Sequence, residues 1–290
     1  MTDQAEALCH GAATIINAIA DGKGAAFGID LWTKAKVKLT DESGIVEGRI
    51  VSDPAENSIL IKKTVERVFR YFDISNRFGA RVETSSSIPI AKGLKSSSAA
   101  ANAVALATVA ALNKSLDDLA IVNLGVDGAL DANVTITGAF DDASASYFGG
   151  VIIADNVKRR ILKRLVVSED LAVLLHVPAN KSYTINTDVG RVQSVASLTR
   201  IAFKEASHGN YWSALSLNGL IYSAALGYDP SVALDALMAG AVAAGLSGKG
   251  PAVSAVVPNE KVDKVKTIWQ AYEGEILKVR LNNKKAAVVG

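Results

Sequence analysis

From Pro89 to Leu112 the chain allows few local structures. Pro89, Ile90, Ala91, Lys92 and Gly93 make a Pro-x-x-x-Gly turn, Leu94 and Lys95 follow, and Ser96, Ser97 and Ser98 open an alanine-rich run from Ala99 to Leu112. Proline and glycine punctuate regular structure, and alanine is the strongest helix former. The stretch predicts a loop feeding the N-terminus of a buried helix, with small polar side chains at its mouth. A helix start offers backbone N–H groups without intrahelical partners and a partial positive charge, which suits a phosphate. Lys95 adds a full charge and the serines add hydroxyls, so a phosphorylated ligand is expected, with a nucleotide as leading candidate. The P-loop pattern is absent, because Leu94 follows Gly93 and Gly250 follows Lys249. The competing reading is a core helix with a serine cap and no ligand.

Composition narrows the classes of protein. A chain of 290 residues, 49% hydrophobic, can bury a sizeable core as one large domain or two ordinary ones. A net charge of +2 argues against nucleic-acid or acidic-membrane partners. The cluster Lys158, Arg159, Arg160, Lys163 and Arg164 reads as a solvated turn. Cys9 has no second cysteine to pair with, which fits a reducing cytoplasm, and His10, His176 and His208 lack metal-ligand spacing. No signal-like segment opens the chain, and the apolar runs fall short of the ~20 residues of a membrane span.

Strands and helices alternate in the first half. Ala35 to Thr40 alternates with period two, Arg49 to Val51 and Ala80 to Thr84 read as further strands, and Ser58 to Phe72 carries a helical apolar face. Ser115 is the expected cap of the next helix. In the second half, strand Leu171–Pro178 precedes helices near Val189–Ser207, Tyr211–Leu226 and Ser231–Ala244, then strand Ala252–Val257, helix Val262–Tyr272 and strand Ile276–Leu281. This succession predicts an α+β sandwich. Asp141 and Asp142 after Gly138 read either as helix-capping acids or as a catalytic pair.

The loop Pro89–Ala100 resembles the ATP-binding motif of the GHMP kinases, the superfamily of galactose, homoserine, mevalonate and phosphomevalonate kinases. Gly11 to Ala18 resembles its N-terminal motif, and Gly245 to Ala252 its C-terminal glycine-rich one. Within the superfamily, Asn17–Gly24, Gly93–Ser98 and Thr135–Ala143 are most similar to archaeal-type shikimate kinases. The resemblance implies a GHMP kinase fold, with an N-terminal half like ribosomal protein S5 domain 2 (residues 1–155) and a ferredoxin-like C-terminal half (156–290). It implies ATP and Mg²⁺, shikimate as acceptor, and phosphorylation of its 3-hydroxyl. Another acceptor, homoserine or mevalonate, and a non-catalytic nucleotide sensor stay open as alternatives, as does the oligomeric state.

The resemblance also distributes roles. Residues Pro89 to Ala99 would cradle the nucleotide, and the Mg²⁺-ligating serine aligns with Ser97, with Ser96 and Ser98 one step away. A second metal ligand, a Glu in the superfamily, is replaced here by Asp131 or Asp127. The catalytic acid falls on Asp141 or Asp142, with Asp141 ranked first. Shikimate's carboxylate calls for a cation, for which Lys23 in the Asp21–Gly24 turn is the first choice, with Asn17 beside it and Arg191 and Tyr183 further along.

Overall fold

The computed structural model describes residues 3–167, 170–182 and 188–289. The chain opens with β1 (Gln4–Ile16) and β2 (Lys23–Thr40), a long antiparallel pair. Up to His10 the more and less buried residues of β1 alternate, as in a strand with one covered face; from Gly11 onward every residue is buried. The change follows from packing, since helices of both halves reach β1. The first half of β2 is buried in the same way from Gly24 to Gly28.

The first sheet continues with β3 (Val46–Ile50), β4 (Gly79–Ser86), β5 (Val151–Asp155) and β6 (Arg160–Leu165). β4 and β5 share one edge of β2, β3 lies parallel to β4, and β6 lies outside β5. Helices α1 (Ile59–Tyr71), α2 (Ser96–Ala111), α3 (Asp118–Asp131) and α4 (Phe140–Phe148) pack with this sheet and one another. α2 is alanine-rich and buries Ala99, Ala103, Ala105 and Ala107 completely, which lets it sit close to β1 and β2. α3 is capped by Asp117, not by Ser115: Asp117 holds an extended backbone two residues later, and its carboxylate accepts the N–H of Ala120.

The second sheet is built from β7 (Leu171–Val177), β8 (Ala243–Leu246), β9 (Val253–Pro258) and β10 (Glu275–Arg280), in the order β10-β7-β9-β8, all antiparallel. Between β7 and β8 run α5 (Val189–Ser194), α6 (Ala196–Ser207), α7 (Tyr211–Leu226) and α8 (Ser231–Met238); α9 (Val262–Trp269) joins β9 to β10. This is the strand order of a ferredoxin-like split unit. α8 and α9 cover a cluster of Val232, Ala236, Val265 and Trp269 on this sheet, and the Trp269 indole donates to the Val232 carbonyl. The helix expected over Ser231–Ala244 ends early, because Gly240 turns the chain at φ +105° and Ala243–Leu246 becomes an edge strand beside β9.

α7 joins the halves by packing on both β1 and β8. Near the C-terminus, β11 (Ala287–Val288) returns to pair with β1, so the first sheet takes strands from both ends of the chain. One continuous core runs through both layers. Among the described residues, no helix is long and apolar enough to cross a membrane.

Candidate active site

A cavity of about 500 Å³ lies where the starts of α2 and α4, the end of β1 and the glycine turn after β8 converge. Both helices begin on a left-handed residue, Lys95 (φ +64°) before α2 and Ala139 (φ +49°) before α4, and neither start has a side-chain cap. Two helix N-termini therefore meet one cavity; the first N–H groups of α2 are left for a ligand, an arrangement that favours anions, while Asn156 takes the Asp141 N–H of α4.

Left-handed residues alternate through the loop before α2. Ala91, Gly93 and Lys95 all have positive φ, and Ile90, Ala91, Gly93, Lys95 and the three serines line the cavity. Pro89, Lys92, Leu94 and Ala99 do not line it. Leu94 and Ala99 are fully buried in the core. Lys92 corrects the expectation of a cradle residue: its ammonium donates to the carbonyls of Pro178, Ala179 and Asn180, each at 2.6 Å. It fastens the segment after β7 to the loop instead of facing a ligand.

The glycine turn closes onto this loop. Ser247 Oγ donates to the Gly93 carbonyl at 2.8 Å and accepts the Thr14 N–H at 3.2 Å, and the Ala252 N–H reaches the Lys92 carbonyl at 3.1 Å. Gly93 meets two demands that glycine alone satisfies cheaply. Its φ is +83°, and a Cβ there would stand 2.1 Å from the Ser247 carbonyl oxygen.

The acidic pair occupies the first turn of α4. Asp141 is 2% exposed, its Oδ1 accepts from Asn156 Nδ2 at 2.7 Å, and its own N–H donates to Asn156 Oδ1 at 3.1 Å. Its other oxygen fills the space over Gly24 of β2, where a Cβ would come within 2.0 Å of it. Burial, and next the charge of Asp142, push Asp141 up to about 7; the bond from Asn156 and the charge of Lys95 oppose them. Asp142 turns the other way and pairs with Lys95 at 3.1 Å, while its Oδ1 is buried without a hydrogen-bond partner among the described residues. Lys249, from the glycine turn, also lines the cavity; burial and then Lys95 push its ammonium down to about 8, with Asp142 opposing.

Other expected residues lie elsewhere. Asp131 is outside the cavity, both its oxygens held by the Arg67 guanidinium of α1. Asp127 is likewise bound by Arg159 at 2.7 Å. Neither is placed as a metal ligand, because an arginine distant in sequence folds onto each. Lys23 starts β2 and is not part of the cavity wall; its ammonium lies over the Phe203 ring, 5.7 Å from the centroid. Asn17 does line the cavity, but its side chain holds the turn, donating to the Gly248 carbonyl at 3.0 Å and accepting the Ile19 N–H at 3.0 Å. Tyr183 lies outside the described residues.

Three residues that the sequence did not single out belong to the site. Lys249 had a signal in its two flanking glycines and Thr14 in the Gly11–Ala18 motif; Asn156 had none. Thr14 lines the cavity with a buried hydroxyl that has no hydrogen-bond partner among the described residues. Among the described residues no three His, Cys, Asp or Glu side chains cluster as metal ligands. A hard cation here would draw on the unpartnered Asp142 oxygen, the serine hydroxyls and oxygens of the bound ligand, the sparse protein ligation Mg²⁺ accepts.

An uncapped helix start, lysines and a buried carboxylate around one cavity form an arrangement suited to phosphoryl transfer. Residues 60–150, which include the loop and the acidic pair, match the GHMP kinases N terminal domain. The homoserine kinase of Cytophaga hutchinsonii has the same fold, with a TM-score of 0.78 at 17% identity over 100% of this chain and 98% of that one. The mevalonate kinase of Methanococcus jannaschii gives 0.74 at 17% identity over 96% and 98%. The fold is therefore that of a GHMP kinase. Full-length relatives narrow the class. The shikimate kinase of Methanosarcina mazei is 42% identical over 99% of this chain and 97% of its own. That of Methanothrix thermoacetophila is 44% identical over 97% and 94%, and that of Pyrococcus furiosus 43% over 92% and 95%. The chain belongs to the shikimate kinase family of the GHMP kinases.

Proposed function

We propose that this protein transfers the γ-phosphoryl group of ATP to the 3-hydroxyl of shikimate, giving ADP and shikimate 3-phosphate. The observation that carries the reading is the division of labour within the acidic pair: Asp142 is bound to Lys95 beside the serine loop, while Asp141 is buried, free of any lysine partner, and raised to about 7. Phosphoryl transfer needs both an electrostatic cradle and a positioned acceptor hydroxyl.

The N–H groups at the start of α2, the hydroxyls of Ser96–Ser98 and the Lys95 ammonium hold the β- and γ-phosphates. The apolar part of the cavity, with Ile50, Leu60, Ile61 and Val134, takes the base. The acceptor hydroxyl lies against Asp141. Its oxygen forms the new bond to the γ-phosphorus, the bond from phosphorus to the bridging oxygen breaks with its electrons on ADP, and the hydroxyl proton passes to the Asp141 carboxylate. A carboxylate that titrates near pH 7 suits that last step, being about half ionised at neutral pH and basic enough to take a proton. Asn156 keeps the carboxylate oriented. Mg²⁺ fits beside Asp142 and Ser97, where it would neutralise phosphate charge. Asp131 is not part of this proposal.

The test is ADP release by the purified protein with Mg-ATP and shikimate, homoserine, mevalonate or galactose in turn. Turnover with shikimate alone is expected. Turnover with another acceptor would keep the site and overturn the substrate, and silence on all four would leave a nucleotide sensor.

A further inference from the structure

A second pocket, of about 150 Å³, shares Lys249 and Ser182 with the main cavity. Its other walls include Asp188 and Arg191 at the start of α5, and Leu226 and Tyr228 after α7. It differs in kind from the apolar slot of the main cavity. Two cations reach it from separate elements, and two hydroxyls, Ser182 Oγ and Tyr228 Oη, stand 3.4 Å apart in its wall. Asp188 is partly engaged, its Oδ1 accepting the Arg191 N–H at 3.1 Å. Two cations with hydroxyl donors match a small planar anion, and the volume is far too small for a triphosphate.

The pocket is also fixed in register with the chemistry. The Ser182 N–H donates to the Ala91 carbonyl at 2.8 Å, and Lys92 holds the three carbonyls just before it, so this wall is bolted to the phosphate loop. Lys249 follows Gly248, whose carbonyl is held by Asn17. Lys95 and Asp142 face Lys249 from the loop and α4, and its lowered ammonium sits among these charges in a state that a bound anion would stabilise.

We propose that Arg191 and Lys249 form the carboxylate subsite of the phosphoryl acceptor, orienting its ring so that one hydroxyl meets Asp141. This rests on the shikimate reading and replaces Lys23, which stands outside the cavity wall. A guanidinium binds a carboxylate through paired donors, and a site built around a charged group rejects an analogue lacking it.

The experiment compares steady-state kinetics of the wild type, Arg191→Met, Lys249→Met and Lys249→Arg with shikimate and with its methyl ester, which removes the charge. The wild type should prefer the acid strongly. Arg191→Met, an exposed position that should fold normally, should raise KM for shikimate about 10-fold or more. It should leave KM for ATP within about twofold and erase most of the acid-over-ester preference. Lys249→Met should likewise raise KM for shikimate and erase most of the preference, and Lys249→Arg should restore much of it. An unchanged acid-to-ester ratio, or a rise confined to KM for ATP, would overturn the subsite. If the wild type ignores shikimate, the functional reading fails instead. Turnover of homoserine or mevalonate, with the preference for acid lost in Arg191→Met, would then still support the subsite, whereas turnover of galactose alone would overturn it.

Discussion

Two walls of the cavity are held in place by different means. The wall made by α2 and α4 is positioned by backbone: left-handed residues start both helices, and Asp141, Asp142 and the serines ride on their first turns. The wall made by the 178–182 segment and the glycine turn is positioned by side chains reaching across the molecule, with Lys92 on three carbonyls, Ser247 on Gly93 and Asn17 on Gly248. Backbone-built geometry is hard to perturb without unfolding, whereas a strut can be cut. Changes in the first wall should therefore strike the chemical step, and changes in the second should strike binding and the alignment of the two substrates.

The largest expected effect belongs to Asp141. Asp141→Asn should lower kcat by about 10²- to 10⁴-fold. In the wild type, kcat/KM should rise with pH and level off above about 7, where the carboxylate is ionised. Asn156→Ala removes a bond that favours the ionised form, so that limb should move to higher pH. The same burial has a stability signature. Asp141 has an ordinary carboxylate pKa near 4 when unfolded and about 7 when folded, so the native state binds the proton more tightly. Its contribution is full below pH 4 and is lost as pH rises through 7. The Tm gain of Asp141→Asn over the wild type should therefore be least near pH 4, grow to about pH 7 and then level off; a gain that shrinks as pH rises would contradict the burial argument.

Gly24→Ala should come next. Its Cβ would compete for the space of the Asp141 carboxylate, so kcat should fall by about 10-fold or more while ATP binding persists. Equal losses in both would mean that the strand itself had shifted. Lys92→Met tests the strut. Chemical unfolding should show a loss of about 1–3 kcal/mol, since three partly buried hydrogen bonds from a charged donor are lost. KM for shikimate should rise more than KM for ATP; the reverse would return Lys92 to the phosphates. The smallest effect is expected for Lys181→Ala. Lys181 pairs with Asp53 at 2.9 Å and Glu56 at 3.0 Å, but the pairs are partly solvated, so the change should stay within about 1 kcal/mol and shrink further with added salt.

The wall that the sequence made legible is the backbone-built one. The run from Pro89 to the alanine helix and the Asp141-Asp142 pair after Gly138 are local patterns, and local patterns set helix starts. The alternation of strands and helices was readable in the same way, through periodicity, whereas the S5-like and ferredoxin-like halves were implied only by the resemblance to the GHMP kinases. Side-chain direction was not. Lys95 lines the cavity and Lys92 does not, and nothing in Lys92-Gly93-Leu94-Lys95 reveals that difference. Asp131 looked available because Arg67, its partner, stands 64 residues earlier. Asn156 became visible only when β5 laid its end beside α4.

Single-turnover rapid quench of ATP-bound enzyme mixed with shikimate, beside equilibrium ATP binding, tests the assignment of the chemistry most directly. Asp141→Asn is predicted to bind ATP within about threefold of the wild type and to form shikimate 3-phosphate at least about 100-fold more slowly. Asp142→Asn is predicted to weaken ATP binding instead. A fast chemical step in Asp141→Asn, with Asp142→Asn slow and still binding ATP normally, would contradict the assignment and exchange the roles of the two acids.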